Sequence, residues 1–189
     1  MSSSSYISET YINKMFIEDK NFLTDNDKKY IHENILNLNT LPLYWNDRTG
    51  PAPTDNQPFL SHVLIARDRN EKLSPHTDFF INVLNTFCKK NKIKIEKIFR
   101  GCINLTFTLA SNIKNTKGII HKDHNFPHKQ FILYLNNSDG RTILLKNKKP
   151  WKKIKPHMFK AICFDGLNEH YAETPLKNQK RIIVVMTFI

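Results

Sequence analysis

The sequence is poor in cysteine, in long apolar runs and, over one stretch, in acid. Only three cysteines occur among 189 residues (Cys88, Cys102, Cys163), an odd number without metal-ligand spacing. That argues against a disulfide framework and suits a reducing cytoplasm. No apolar run approaches the ~18 residues of a membrane span, so no transmembrane helix and no membrane partner are expected. The opening Met1-Ser-Ser-Ser-Ser5 has neither a basic nor an apolar region, so no secretory signal is expected and the cytoplasm is the expected location. Internal repeats and domain linkers are lacking too. One domain is therefore expected over 1–189, with 1–92 as a helical support region and 93–189 as a β-core. A hydrophobic content of 40%, with 11% aromatics, is too high for a wholly disordered chain.

Acid is missing where base is dense. Lys and Arg total 29 against 17 Asp and Glu, a net charge of +12. Residues 89–100 hold six basic residues and one acid; residues 144–160 hold seven lysines and no acid. These two segments account for the whole excess. Localised positive charge points to an anionic partner, nucleic acid among them, or to solvated lysine-rich faces.

Thr24-Asp25-Asn26-Asp27 opens a helix, with Thr24 as cap and Asp27 in the capping-box position. Tyr30, Ile31, Ile35 and Leu38 follow at helical spacing. Pro42 breaks this pattern, and 46–58 read as a loop that could extend into a lid over 46–73. Phe59–Ile65 read as a short strand. Ser74-Pro75 reads as the start of a second helix whose stripe, Phe79, Phe80, Val83, Leu84 and Phe87, is core. From residue 93 the chain turns β-branched and aromatic in short runs. Strands are expected over 98–109, 117–121, 128–135, 142–146, 160–164 and 181–189, with a turn at Asn137-Ser-Asp-Gly140. Helices followed by many short strands predict a mainly β (α+β) fold, a jelly roll buttressed by N-terminal helices.

His121-Lys-Asp123 ends a strand. Residues i and i+2 of an extended segment share a face, so His121 and Asp123 can converge on one metal. His170, about 50 residues on, is the leading third ligand. Two histidines and a carboxylate leave three positions of a six-coordinate metal open. His124, His128 and His157 read as loop or surface histidines. Arg181, Ile183, Val185 and Thr187 share one parity of the last strand. If Ile183 and Val185 face inward, so does Arg181, which then needs an anion; Asp165 and Glu169 are alternative partners.

These pieces resemble the Fe(II)- and 2-oxoglutarate-dependent oxygenases. The matching set, in order, is His121-Lys-Asp123, Phe131-Ile-Leu-Tyr-Leu-Asn136, Asp139-Gly-Arg-Thr142, Phe164-Asp-Gly166, His170 and Arg181. The motif order is most similar to the prolyl-hydroxylase branch. In the N-terminal half, Leu41-Pro-Leu-Tyr-Trp45 and Arg100-Gly-Cys-Ile-Asn104 resemble small oxygenases of marine bacteriophages, which would place the protein in a host cytoplasm. The resemblance implies a double-stranded β-helix (cupin-like) and Fe(II) on His121, Asp123 and His170. It also implies 2-oxoglutarate held by Arg181 and Tyr134, with Asn104 and Thr187 lining its pocket. O2 is the oxidant and ascorbate a reductant. The implied reaction is hydroxylation of a C–H bond with release of succinate and CO2, on a protein or peptide. Asp123, being a carboxylate, speaks against halogenation. Alternatives are a nucleic-acid-modifying oxygenase using segments 89–100 and 144–160, an oxygenase acting on a small metabolite, a Zn hydrolase, and a non-catalytic metal-containing jelly-roll module. Against the nucleic-acid reading, no second arginine follows Arg181 in the last strand.

Overall fold

The structure is a computed structural model that describes residues 15–37, 39–47, 57–67, 69, 71–108, 117–177 and 180–189. The N-terminal tail, Leu38 and residues 48–56 of the expected loop lie outside the described residues. None of the described helices is long and apolar enough to cross a membrane.

Among the described residues, ten strands form two antiparallel sheets, with two helices packed beside them. The strands are β1 (Phe16–Asp19), β2 (Tyr44–Asn46), β3 (Phe59–Ile65), β4 (Ile98–Phe107), β5 (Lys129–Tyr134), β6 (Thr142–Lys146), β7 (Lys149–Ile154), β8 (Ala161–Asp165), β9 (His170–Ala172) and β10 (Lys180–Phe188). The helices are α1 (Asp25–Asn34) and α2 (Thr77–Lys90). The major sheet runs β1-β8-β5-β10-β4-β3-β2, and the minor sheet runs β7-β6-β9. The expected mainly β class with two supporting helices is what folds.

The two-residue strand period sorts the side chains into layers. On β10, Ile182, Val184, Met186 and Phe188 face the helices and pack with Ile31 of α1 and Phe80, Leu84 and Phe87 of α2. The alternate residues Ile183 and Val185 join Ile132, Tyr134 and Ile162 of the major sheet and Leu144 and Ile154 of the minor sheet. The second cluster therefore lies between the sheets. Phe80 and Phe87 are fully buried, and each contributes about 1.5–3 kcal/mol by leaving water.

Local chemistry sets the helix starts. Thr24 accepts from the Asp27 N–H at 3.1 Å, and Asp27 accepts from the Thr24 N–H at 2.9 Å, closing the expected capping box. The second helix starts at Thr77, later than Ser74-Pro75 implied, and the His76 side chain at its cap makes no capping bond, its Nδ1 meeting the Tyr30 hydroxyl at 2.8 Å instead. The Ser74 hydroxyl is taken by His62 Nε2 at 2.7 Å and by the His76 N–H at 3.1 Å, so Ser74 closes the preceding turn instead.

The first half of the chain is not only helical. Strands β1, β2 and β3 all join the major sheet, with β1 on β8 at one edge and β2 on β3 at the other. The segment 117–121 runs along β9 as bridges Lys117–Glu173 and His121–His170. The turn at 137–140 carries the chain from the major to the minor sheet, its Gly140 N–H bonded to Ser138 Oγ. The span from His170 to Arg181 is pinned where it leaves β9. Glu173 accepts both Nε and Nη2 of Arg141, and Asp139 Oδ2 accepts the N–H groups of Leu176 and Lys177.

The two basic segments separate. In 89–100, Lys90 meets Asp19, Lys94 meets Glu96 and Arg100 meets Asp123. In 144–160, Lys160 meets Glu18 at 3.5 Å; the other six lysines have no ion pair among the described residues. Most of those six sit on β7 and its flanking turns, at the open edge of the minor sheet.

Candidate active site

A cavity of about 120 Å3 opens between the sheets and brings together His121, Asp123, His170, Asn104 and Arg181. Backbone pairing places the two histidines. The N–H of His121 donates to the His170 carbonyl and the N–H of His170 to the His121 carbonyl, both at 3.0 Å. Their rings lie 4.5 Å apart between centroids. Each Nδ1–H donates to a backbone carbonyl two residues earlier, His121 to Ile119 at 2.9 Å and His170 to Asn168 at 3.2 Å. That bond fixes the tautomer and leaves Nε2 of both rings with its lone pair, the form in which imidazole binds metal. Burial pulls the His170 pKa down to about 4, which keeps the ring neutral.

Asp123 supplies the carboxylate of the set. Burial alone would raise its pKa, but the Arg100 guanidinium, with the hydrogen bond from Gln130, outweighs that and holds it well below the carboxylate range. Arg100 Nη1 donates to Asp123 Oδ1 at 2.8 Å, and Gln130 Nε2 donates to Oδ2. Arg67 Nη1 donates to the Asp123 carbonyl at 2.6 Å, with Nη2 3.6 Å from Oδ1. Among the described residues, no three His, Cys, Asp or Glu side chains stand at the spacing of a closed ligand set. The donor chemistry nevertheless fits a metal. Two imidazoles present Nε2, and each carboxylate oxygen, having accepted one hydrogen bond, keeps a further lone pair.

Arg181 is 3% exposed, and burial pulls its pKa down. Its Nη2 donates to Thr142 Oγ1 at 2.8 Å, while its Nε has no partner. Neither Asp165 nor Glu169 pairs with it among the described residues. A buried guanidinium with an unused N–H is fitted to a carboxylate. Tyr134 lies one strand away, since its strand pairs β10 at Ile183. Its hydroxyl donates to the same Thr142 Oγ1 at 2.8 Å, and burial pushes its pKa up to about 12. Tyr134 therefore meets Arg181 through Thr142 and also directly, its ring centroid 5.7 Å from the guanidinium carbon, and is not itself among the residues lining the cavity.

Asn104 lines the cavity and accepts from the Ser61 hydroxyl at 2.8 Å. Thr187 shares the Arg181 parity but bonds to His124 Nε2 at 2.8 Å and does not line the cavity. His128 is not a surface histidine: it is 4% exposed, and a Cβ on Gly166 would collide with its Nε2. Only glycine fits at that point, which ties the Phe164-Asp-Gly166 turn to the packing of β5.

Four site residues were not singled out in the sequence: Arg67, Arg100, Gln130 and Thr142. Arg100 was counted with a basic surface segment, although it shares strand parity with Cys102 and Asn104 and so points inward. Thr142 ended a recognised motif without a role. Gln130 shares parity with Ile132 and Tyr134. Arg67 follows β3 and carried no local signal.

No family model matches the sequence, and no curated protein sequence matches it. Solved structures do. The fold is similar to an oxidoreductase of the 2OG-Fe(II) oxygenase family from Burkholderia pseudomallei, at 15% identity over 92% of this chain and 83% of that one, with a TM-score of 0.66. It is similar to a prolyl hydroxylase from Trichoplax adhaerens, in complex with a hypoxia inducible factor peptide fragment, at 13% identity over 95% and 84% of the two chains and a TM-score of 0.65. A prolyl-4-hydroxylase from Pseudomonas putida matches at 13% identity, 92% and 91% coverage and a TM-score of 0.59. The chain thus has the double-stranded β-helix fold of the 2OG-Fe(II) oxygenases. None of these three matches supports the expected likeness to phage-encoded oxygenases.

Proposed function

We propose that this protein is an Fe(II)- and 2-oxoglutarate-dependent oxygenase that hydroxylates a C–H bond of a protein or peptide. The observation that carries the reading is Arg181, a buried cation with an unpartnered Nε and no acid paired with it among the described residues, in one cavity with two histidines and a carboxylate.

His121, His170 and Asp123 are the residues that would hold the metal, and Arg181 with Thr142 the residues that would hold the far carboxylate of 2-oxoglutarate. When bound, these groups supply the oxidation: one O2 and one 2-oxoglutarate become succinate, CO2 and a hydroxyl on the substrate carbon. The chain's own residues bind, orient and exclude water. The Nδ1 bonds to Ile119 and Asn168 aim the imidazoles. Arg100 and Gln130 hold the Asp123 carboxylate between them. Tyr134 fixes the Thr142 hydroxyl that faces Arg181, and Ile132, Ile183 and Val185 give the cavity an apolar wall.

The test is incubation with Fe(II), ascorbate and 2-oxoglutarate. Slow succinate release without substrate supports the reading. No succinate, together with no metal-dependent binding of 2-oxoglutarate, rejects it in favour of a binding module; hydrolysis supported by Zn(II) alone would favour the hydrolase alternative.

A further inference from the structure

We propose that the β7 edge of the minor sheet, with the lysine-lined cleft beside it, is a docking surface for single-stranded nucleic acid. The proposal goes beyond the oxygenase reading and does not rest on it, because none of these residues lines the cavity.

Unneutralised charge is the first ground. Lys146, Lys148, Lys149, Lys153 and Lys155 are exposed, and none has an ion pair among the described residues. Lys152 has none either; its ammonium lies over the rings of Phe16 and Trp151, 4.6 and 5.4 Å from their centroids. Lys146 and Lys149 are direct cross-strand partners, a like-charge pair that costs stability. A cleft beside the β6–β7 turn adds the exposed Lys122, with Glu169 as the one acid among its described lining residues. In the other basic segment, Lys90, Lys94 and Arg100 each meet an acid.

Shape is the second ground. The six residues of β7 span about 17 Å, with Lys146 and Lys148 before the strand and Lys155 after it. Charges strung along a line suit a chain of anions, whereas a small anion needs them gathered round one point. Addition of a peptide strand to this edge is disfavoured, since Pro150 lacks an N–H and the ladder slips between Leu144 and Leu145.

The aromatic among the lysines selects the polymer. The slip leaves Trp151 without a cross-strand partner. It is 38% exposed, with Phe16 edge-on to it at 6.1 Å between ring centroids. Lysines alone would guard the edge against self-association. An indole left open in their midst works against that end and offers the platform on which a base stacks. No arginine occurs over 142–160, whereas the paired oxygens of a carboxylate are best met by guanidinium forks. Ammonium groups act as point charges and meet phosphates whatever the base sequence.

The experiment is a salt titration of fluorescence anisotropy on the full chain, with a fluorescein-labelled short oligothymidylate and, beside it, a labelled oligoglutamate of equal length. Oligothymidylate should bind at low salt. The logarithm of its binding constant should fall against log salt with a slope of about −2.8, for about four neutralised phosphates. Lys149→Gln with Lys153→Gln should flatten that slope by about 1.4. Lys29→Gln with Lys89→Gln removes the same charge from exposed positions on the two helices and should leave the slope as it was. Trp151→Leu should weaken binding about tenfold at an unchanged slope, and Trp151→Phe should recover most of that. Trp151→Leu gives up a contact with Phe16 and can fail to fold, so the exposed lysine pair carries the test in that event. No binding at low salt, tighter binding of oligoglutamate than of oligothymidylate, or an equal loss in the two lysine pairs overturns the proposal. So does a folded Trp151→Leu variant that binds like wild type. Each of these results leaves the oxygenase reading standing, since succinate release tests that separately.

Discussion

Replacing Arg181 by methionine should make the ligand-free protein more stable while abolishing its response to 2-oxoglutarate. The guanidinium is buried, has no acidic partner among the described residues and leaves its Nε unpaired. A buried polar group without a partner costs about 1–3 kcal/mol, and its charge adds to that. Methionine fills similar length with a flexible apolar chain. The Thr142 hydroxyl keeps its bond from Tyr134, so no new orphan is created there. The variant should therefore gain about 1–3 kcal/mol without ligand. For a chain of this size that is a rise of about 2–12 °C in Tm. Wild-type protein with Mn(II) and 2-oxoglutarate at about 100 times Kd should gain about 2.7 kcal/mol, and the variant should gain nothing from 2-oxoglutarate. Thermal melts followed by circular dichroism, with and without the co-substrate, read both effects. A ligand-free variant that melts below wild type would show that Arg181 is a structural residue. A retained 2-oxoglutarate shift would remove it from the co-substrate site.

Three further substitutions probe the rest of the site. Asp123→Ala should abolish succinate release and, by leaving the half-buried Arg100 without its carboxylate, destabilise the fold by about 3 kcal/mol in urea titration; full turnover would reject the metal set. Thr142→Val strips the oxygen shared by Tyr134 and Arg181 and should raise KM for 2-oxoglutarate while costing about 1–3 kcal/mol. Thr142→Ser should restore both, and a valine variant indistinguishable from wild type would make the convergence incidental. Gly166→Ala places a methyl against His128 and should cost about 1–3 kcal/mol. Adding His128→Ala should recover part of that loss in a double-mutant cycle, and simple additivity of the two changes would show that they do not touch.

Much of the site was legible because its residues obey local periods. The parity of β10 alone put Arg181 with Ile183 and Val185, and the i, i+2 rule put His121 with Asp123. The capping box at Thr24 was readable for the same reason. What escaped depends on contacts between distant segments. Thr142 meets Arg181 only because the two sheets face one another, and Arg100 meets Asp123 across the cavity after reading as one more base in a lysine-rich run. Ser74 looked like a cap until His62 claimed its hydroxyl. The edge strands β1 and β2 have only four and three residues, too few to show a period. β7 carries lysines where alternation would need apolar residues.

That last strand has a consequence of its own. β7 ends the minor sheet with an open row of backbone groups, the kind of surface onto which a second chain can add and grow into a fibre. Pro150 offers no N–H there, the register slips opposite Leu144 and Leu145, and Lys149, Lys152 and Lys153 carry like charge along the strand. Two such edges brought together would repel before they could pair. The strand that carries much of the surplus charge thus also opposes edge-to-edge pairing of two copies.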